Sequence, residues 1–107
     1  MPSYMVQVAY TSESWAGMVK KPQDRTVVVG KVIEKLGGTL ASAWFAFGEY
    51  DVICILEMPD NVTAAAFAAA VAAGGGVKAI KTTPLLSIAD GMESMKKAGG
   101  AGYKPPK

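Results

Sequence analysis

Three adjacent residues in the middle of the chain, Glu49, Tyr50 and Asp51, have the types and spacing that could move a proton. They lie in GEYDVICILEMPD, residues 48–60, where two acids flank a phenol ahead of an apolar run that Pro59 stops. A carboxylate raised in pKa by burial becomes a general base, and a phenol can return the proton. Asp51 or Glu49 as base and Tyr50 as donor would then act on a bound ligand. The same residues also suit a turn: Gly48 supplies a positive backbone angle, Asp51 accepts turn hydrogen bonds, and Tyr50 packs its ring while its hydroxyl finds a partner. Strand alternation would send Glu49 and Asp51 to one side and Tyr50 to the other.

Other chemistry is sparse. There is no histidine, and the one cysteine, Cys54, sits inside the apolar run, so no metal-ligand set of recognisable spacing emerges and no cofactor is expected. Cys54 can form no internal disulfide and reads as a small buried hydrophobe. Trp15, Trp44, Phe45, Phe47 and Met5 either line an apolar pocket for a flat ligand or pack a core or interface. Arg25, close to a helix start, either grips a carboxylate with its two-pronged guanidinium or pairs with Asp24, Glu49 or Asp51. Gly74, Gly75 and Gly76 follow a helix rather than precede one, which makes them a stop and not a phosphate cradle.

The elements that must hold these residues follow from pattern. At 107 residues the chain is long enough for one core. Half its residues are apolar and 19% charged, a globular balance. The net charge is only +2 and the basic residues are scattered, so nucleic acid is not an expected partner. No apolar run approaches the ~20 residues of a membrane helix, and the start MPSYMVQVAY lacks a basic region and a cleavage site, so a cytoplasmic location is expected.

Residues 4–11 alternate as a strand that is largely apolar on both sides. A short helix follows, interrupted at Pro22. Val28, Val29, Val32, Ile33 and Leu36 then lay a helical stripe that Gly37 and Gly38 end. Residues 39–47 and 51–58 read as strands, the second apolar on both sides and therefore central. Pro59-Asp60-Asn61 caps an alanine-rich helix over residues 62–73, and residues 77–88 give a fourth strand with Pro84 marking an edge. This order predicts an α+β, ferredoxin-like βαββαβ domain over residues 1–90. Its four-stranded antiparallel sheet has strands one and three in the middle and helices on one face. Residues 91–107 form a short helix with Met92 and Met95, then a tail that Tyr103 anchors, with a neighbouring subunit as the expected support.

Two helices cover one sheet face, so apolar residues on the other call for a second copy, and a two-fold homo-oligomer enclosing a shared interior is expected.

Gly48, Tyr50 and Asp51, the opening MPSYMVQVAYT, Arg25, Leu36-Gly37-Gly38 and Pro59-Asp60 together resemble the GYD-domain family of small bacterial proteins, over residues 2–88. The resemblance implies a dimeric α/β-barrel type assembly and names no reaction. Three functions follow as expectations. The first is a homo-oligomeric module that binds a small apolar or aromatic molecule, or a protein, with Trp15, Arg25, Trp44, Glu49 and Tyr50 at the ligand. The second is a cofactor-independent isomerase or monooxygenase-like enzyme using Tyr50 and Asp51. The third is a structural or assembly partner.

Overall fold

The computed structural model describes residues 1–106. In chain order it contains β1 (Ser3–Tyr10), α1 (Ser12–Lys20), α2 (Thr26–Lys35), β2 (Thr39–Phe45), β3 (Val52–Glu57), α3 (Asn61–Ala73), β4 (Val77–Leu85) and α4 (Ile88–Gly99). Alternation in β1 and β3 builds the core. Tyr4 stands opposite Leu56 and Val6 opposite Cys54, and all four are buried under the helices with Ile33, Met58 and Phe67. The strands pair antiparallel in the order β2-β3-β1-β4, so the two strands with apolar residues on both faces are central and Pro84 lies in an edge strand.

Each helix begins and ends for a local reason. Thr11 caps α1 by accepting from Ser14 N at 3.1 Å, and the helix stops before Pro22. Of the predicted α2 stripe, Ile33 is fully buried and Val29 and Leu36 are half-buried, while Val28 and Val32 stay exposed. Gly37 supplies the left-handed turn at φ +85, and Gly38 lets the chain pass close to β3. A Cβ on Gly38 would stand 2.5 Å from Glu57 O and collide with Met58 Sδ. Asp60 caps α3, accepting from Thr63 N at 2.8 Å and from Thr63 Oγ1 at 2.7 Å.

Three expectations are corrected. The barrel is absent: β2 and β4 are each paired on one side only among the described residues, and closure would need a strand tilt and stagger that joined those edges. The sheet remains open, with helices on one face. Second, β2 ends at Phe45 and carries a bulge at Ala41. That extra residue puts Leu40, opposite Leu56, on the same face as Ala43, opposite Cys54, where uninterrupted alternation would separate them. Third, Gly48 has no positive φ, because residues 46–51 form a longer connection closed by Ala46 N donating to Asp51 O at 2.8 Å, which requires no left-handed residue.

α4 projects from the sheet and buries no residue, giving the molecule extents of 57 × 35 × 22 Å. Residues 100–106 are exposed and Tyr103 is 78% accessible, so the tail is not anchored on its own chain. Lys107, the end of that expected segment, lies outside the described residues. No helix among the described residues is long and apolar enough to cross a membrane.

The bonds from Thr63 hold the Asp60 carboxyl below the usual carboxylate range, so its cap contributes stability above the unfolded-state pKa and loses it as pH falls through the lower folded value. Asp60→Ala should lower the urea midpoint at neutral pH, and Asp60→Asn should keep most of the cap. The gap between wild type and Asp60→Ala should narrow in acid.

Candidate functional site

Asp51 enters β3 with its backbone N–H donating to Val8 O at 2.8 Å. Its side chain turns the other way along β1: Oδ2 accepts from Tyr10 N at 2.8 Å and from Trp15 Nε1 at 3.2 Å. The β1–β4 register shifts between Ala9 and Tyr10, where a carboxylate takes the Tyr10 N–H. Trp15 is thereby set edge-on to Tyr10, ring centroids 5.7 Å apart and planes at 82°. Ser14 Oγ donates to Gly76 O at 2.7 Å and Thr11 N to the same carbonyl at 3.2 Å, tying the head of α1 to the start of β4.

These ties frame one end of a cleft of about 620 Å³ between the sheet and α1, α2 and α3. Val8 and Cys54 are its floor, and Val28, Phe67 and Val71 line its sides. The polar side chains are those of Tyr10, Ser14 and Gln23, and the charged ones those of Glu13, Lys21 and Arg25. Burial pushes the Tyr10 phenol above its ordinary pKa, the Arg25 guanidinium opposes that rise, and Cys54 and Asp51 add to it, so the phenol is a neutral donor at neutral pH. Burial also pushes the Cys54 thiol up, consistent with a floor residue that is not a thiolate.

On the other face of the sheet lies a smaller notch of about 310 Å³, lined among others by Gln7, Glu49, Tyr50, Ile53 and Lys81. The sequence-predicted residues are therefore divided. Glu49 and Tyr50 share the notch, whereas the Asp51 carboxylate reaches Tyr10 and Trp15. Glu49 goes with Tyr50 rather than with Asp51 because residues 46–51 are not an extended strand. Arg25 lines the helix-side cleft, and Trp44, 68% exposed, stands opposite Ile53 on the open face. Tyr10, Cys54 and Val71 in the cleft escaped sequence reasoning about function. The available signal was the alternation that places Tyr10 on the side of Val6 and Val8.

The chain belongs to the GYD domain family, whose model matches residues 4–97. Among curated proteins none matches the sequence. The crystal structure of TTHA0845 from Thermus thermophilus is similar, with a TM-score of 0.54 at 16% identity, covering 81% of this chain and 95% of that one. That of MtbAldR (Rv2779c) is similar at TM-score 0.54 and 16% identity, covering 80% of this chain and 52% of that one, so the match spans about half of MtbAldR. At such identities the likeness is one of fold.

With Asp51 as the clasp, Asp51→Ala should cost about 3 kcal/mol and Trp15→Phe about 1.5 kcal/mol in urea denaturation. The double variant should cost less than the sum, since the Trp15–Asp51 bond is lost in each single variant.

Proposed function

We propose that this GYD domain is a binding module that holds a small apolar molecule in the cleft between its sheet and helices, and that it works as a pair of copies. The observation that carries the reading is the cleft itself: about 620 Å³, largely walled by Val, Phe and Tyr side chains, with a handful of polar groups to orient a guest. Binding pockets for small organic molecules have that size and make-up. The ligand position thus moves from a chamber between two sheets to the helix-covered side of a single chain. A proton-transfer role for Tyr50 and Asp51 together has less support, since the Asp51 carboxylate is directed at Trp15 and the Tyr10 backbone while Tyr50 lines the notch.

The case for self-association rests on the open face. Met5, Ile53 and Ile55 lie at its middle, with Trp44 beside Ile53, and α4 leaves that face uncovered because all its residues but half-buried Gly91 are exposed. Each Val- or Ile-sized side chain brought from water into contact gains about 1.5–3 kcal/mol. A second copy presents a matching apolar centre, flanked on each copy by Glu57 and Lys81 of opposite sign. In this reading the sheet and cleft of residues 1–90 are the working unit, and residues 91–107 an appendage that can reach the neighbouring copy.

Phenylbutanol should bind saturably in calorimetry. Val28→Trp, at an exposed α2 position on the cleft, should abolish that binding with the far-UV spectrum unchanged. Tyr50→Phe should leave it intact. The reverse pattern would move the site to the notch. In sedimentation velocity the wild type should run as a dimer and Ile53→Glu as a monomer; a wild-type monomer at every concentration would refute the pairing.

A further inference from the structure

The reading of the cleft as a ligand site leaves its charged residues unexplained, and they are what select among apolar guests. Arg25 has three sequence-level candidates for an acidic partner, and each is engaged elsewhere. Asp24 accepts from Thr26 N at 2.8 Å and from Thr26 Oγ1 at 2.6 Å, bonds that hold its carboxyl below the usual range. The Asp51 Oδ2 is taken by Tyr10 N and Trp15 Nε1. Glu49 lines the notch on the other face. Arg25 caps α2 without a side-chain hydrogen bond to the helix, so no backbone role holds its guanidinium.

Lys21 lines the same cleft, and Glu13 is the one acid among the lining residues. Two cations against one anion leave a single net positive charge beside a mostly apolar hollow. A guanidinium receives a carboxylate through two parallel N–H bonds, and such charge-assisted bonds are about twice as strong as neutral ones. The charge balance suits a monoanion: a phosphate monoester would bring nearly two negative charges and a large hydration shell against walls of valine and phenylalanine. Tyr10 adds a neutral hydroxyl in the same space, a donor that does not repel an anion.

From this we infer that the cleft selects a monocarboxylic acid with an apolar, aromatic-sized body, the carboxylate received by Arg25 with Lys21 nearby and the body lying over Val8 and Cys54. The inference rests on the cleft reading above. It differs in what it requires, because the cleft reading needs only that an apolar molecule binds there. Chemically related acids and alcohols separate the two.

The test is calorimetry on the full chain with phenylbutyrate and phenylbutanol, which share a body and differ in the head group. Phenylbutyrate should bind at least about tenfold tighter than phenylbutanol, the advantage expected of a hydrogen-bonded charge pair. Arg25→Gln should bring the two affinities to within about twofold by weakening the acid and leaving the alcohol unchanged. Arg25 is exposed, so this variant should keep the wild-type fold, with the far-UV spectrum as the check. Phenylbutanol binding with no preference for the acid would overturn the inference while sparing the cleft. An acid preference that survives Arg25→Gln would overturn it too, and binding of neither probe would remove both readings.

Discussion

One oxygen of Asp51 holds together parts of the fold that hydrophobic packing leaves loose. α1 buries no residue fully, and its apolar hold on the sheet comes from the half-buried Trp15 and Met18. Polar ties add to that packing: Trp15 Nε1 to Asp51 at 3.2 Å at one point, and Ser14 Oγ to Gly76 at 2.7 Å at another. Hydrogen bonds to a charged group contribute about 1.5–3 kcal/mol each, enough to fix the register of a helix whose packing is only partial. Because the same oxygen also takes the Tyr10 N–H, the end of β1, the start of β3 and the head of α1 are set by one side chain. The phenol at the end of the cleft is oriented as a consequence.

That arrangement separates the two faces of the sheet. On the helix side the layer is incomplete: α2 buries Ile33 but leaves Val28 and Val32 exposed, and the space between it, α1 and α3 is the cleft. On the open side the half-buried Met5, Ile53 and Ile55 sit among Gln7, Glu57 and Lys81, a mixed surface with a small notch beside Tyr50. The Asp51 carboxylate is bonded to Tyr10 N and Trp15 Nε1, and Asp51 is not among the residues that line the notch with Tyr50. Residues adjacent in sequence thus have different partners, because residues 46–51 are a bent connection and not a strand.

Much of the architecture was legible because it rests on period and on cap chemistry. Val6, Val8, Cys54 and Leu56 alternate without interruption, and Thr11, Asp60, Gly37 and Gly75 mark helix ends by mechanisms that need no tertiary context. The bulge at Ala41 was not legible, since nothing in TLASAWF distinguishes a strand with one extra residue from one without. The open sheet likewise depends on which edges meet, a property of long-range pairing. For the site, Trp15, Arg25, Glu49, Tyr50 and Asp51 were visible by residue type, but their division between a clasp, a cleft and a notch follows from the loop at residues 46–51. The loop's closing bond, Ala46 N to Asp51 O, leaves no mark in the sequence. Tyr10 read as a strand residue because its link to Trp15 and Asp51 crosses elements far apart in the chain.

The central claim is that ligand recognition belongs to the helix side of the sheet, at the end built by Asp51. Amide and indole chemical shifts of the labelled full-length chain, followed by NMR as phenylbutyrate is added, test it most directly. The account predicts saturating shifts at Tyr10, Arg25, Val71 and the Trp15 indole, with Gln7, Tyr50 and Lys81 unmoved. Shifts confined to Gln7, Tyr50 and Lys81 would contradict it and place recognition on the open face.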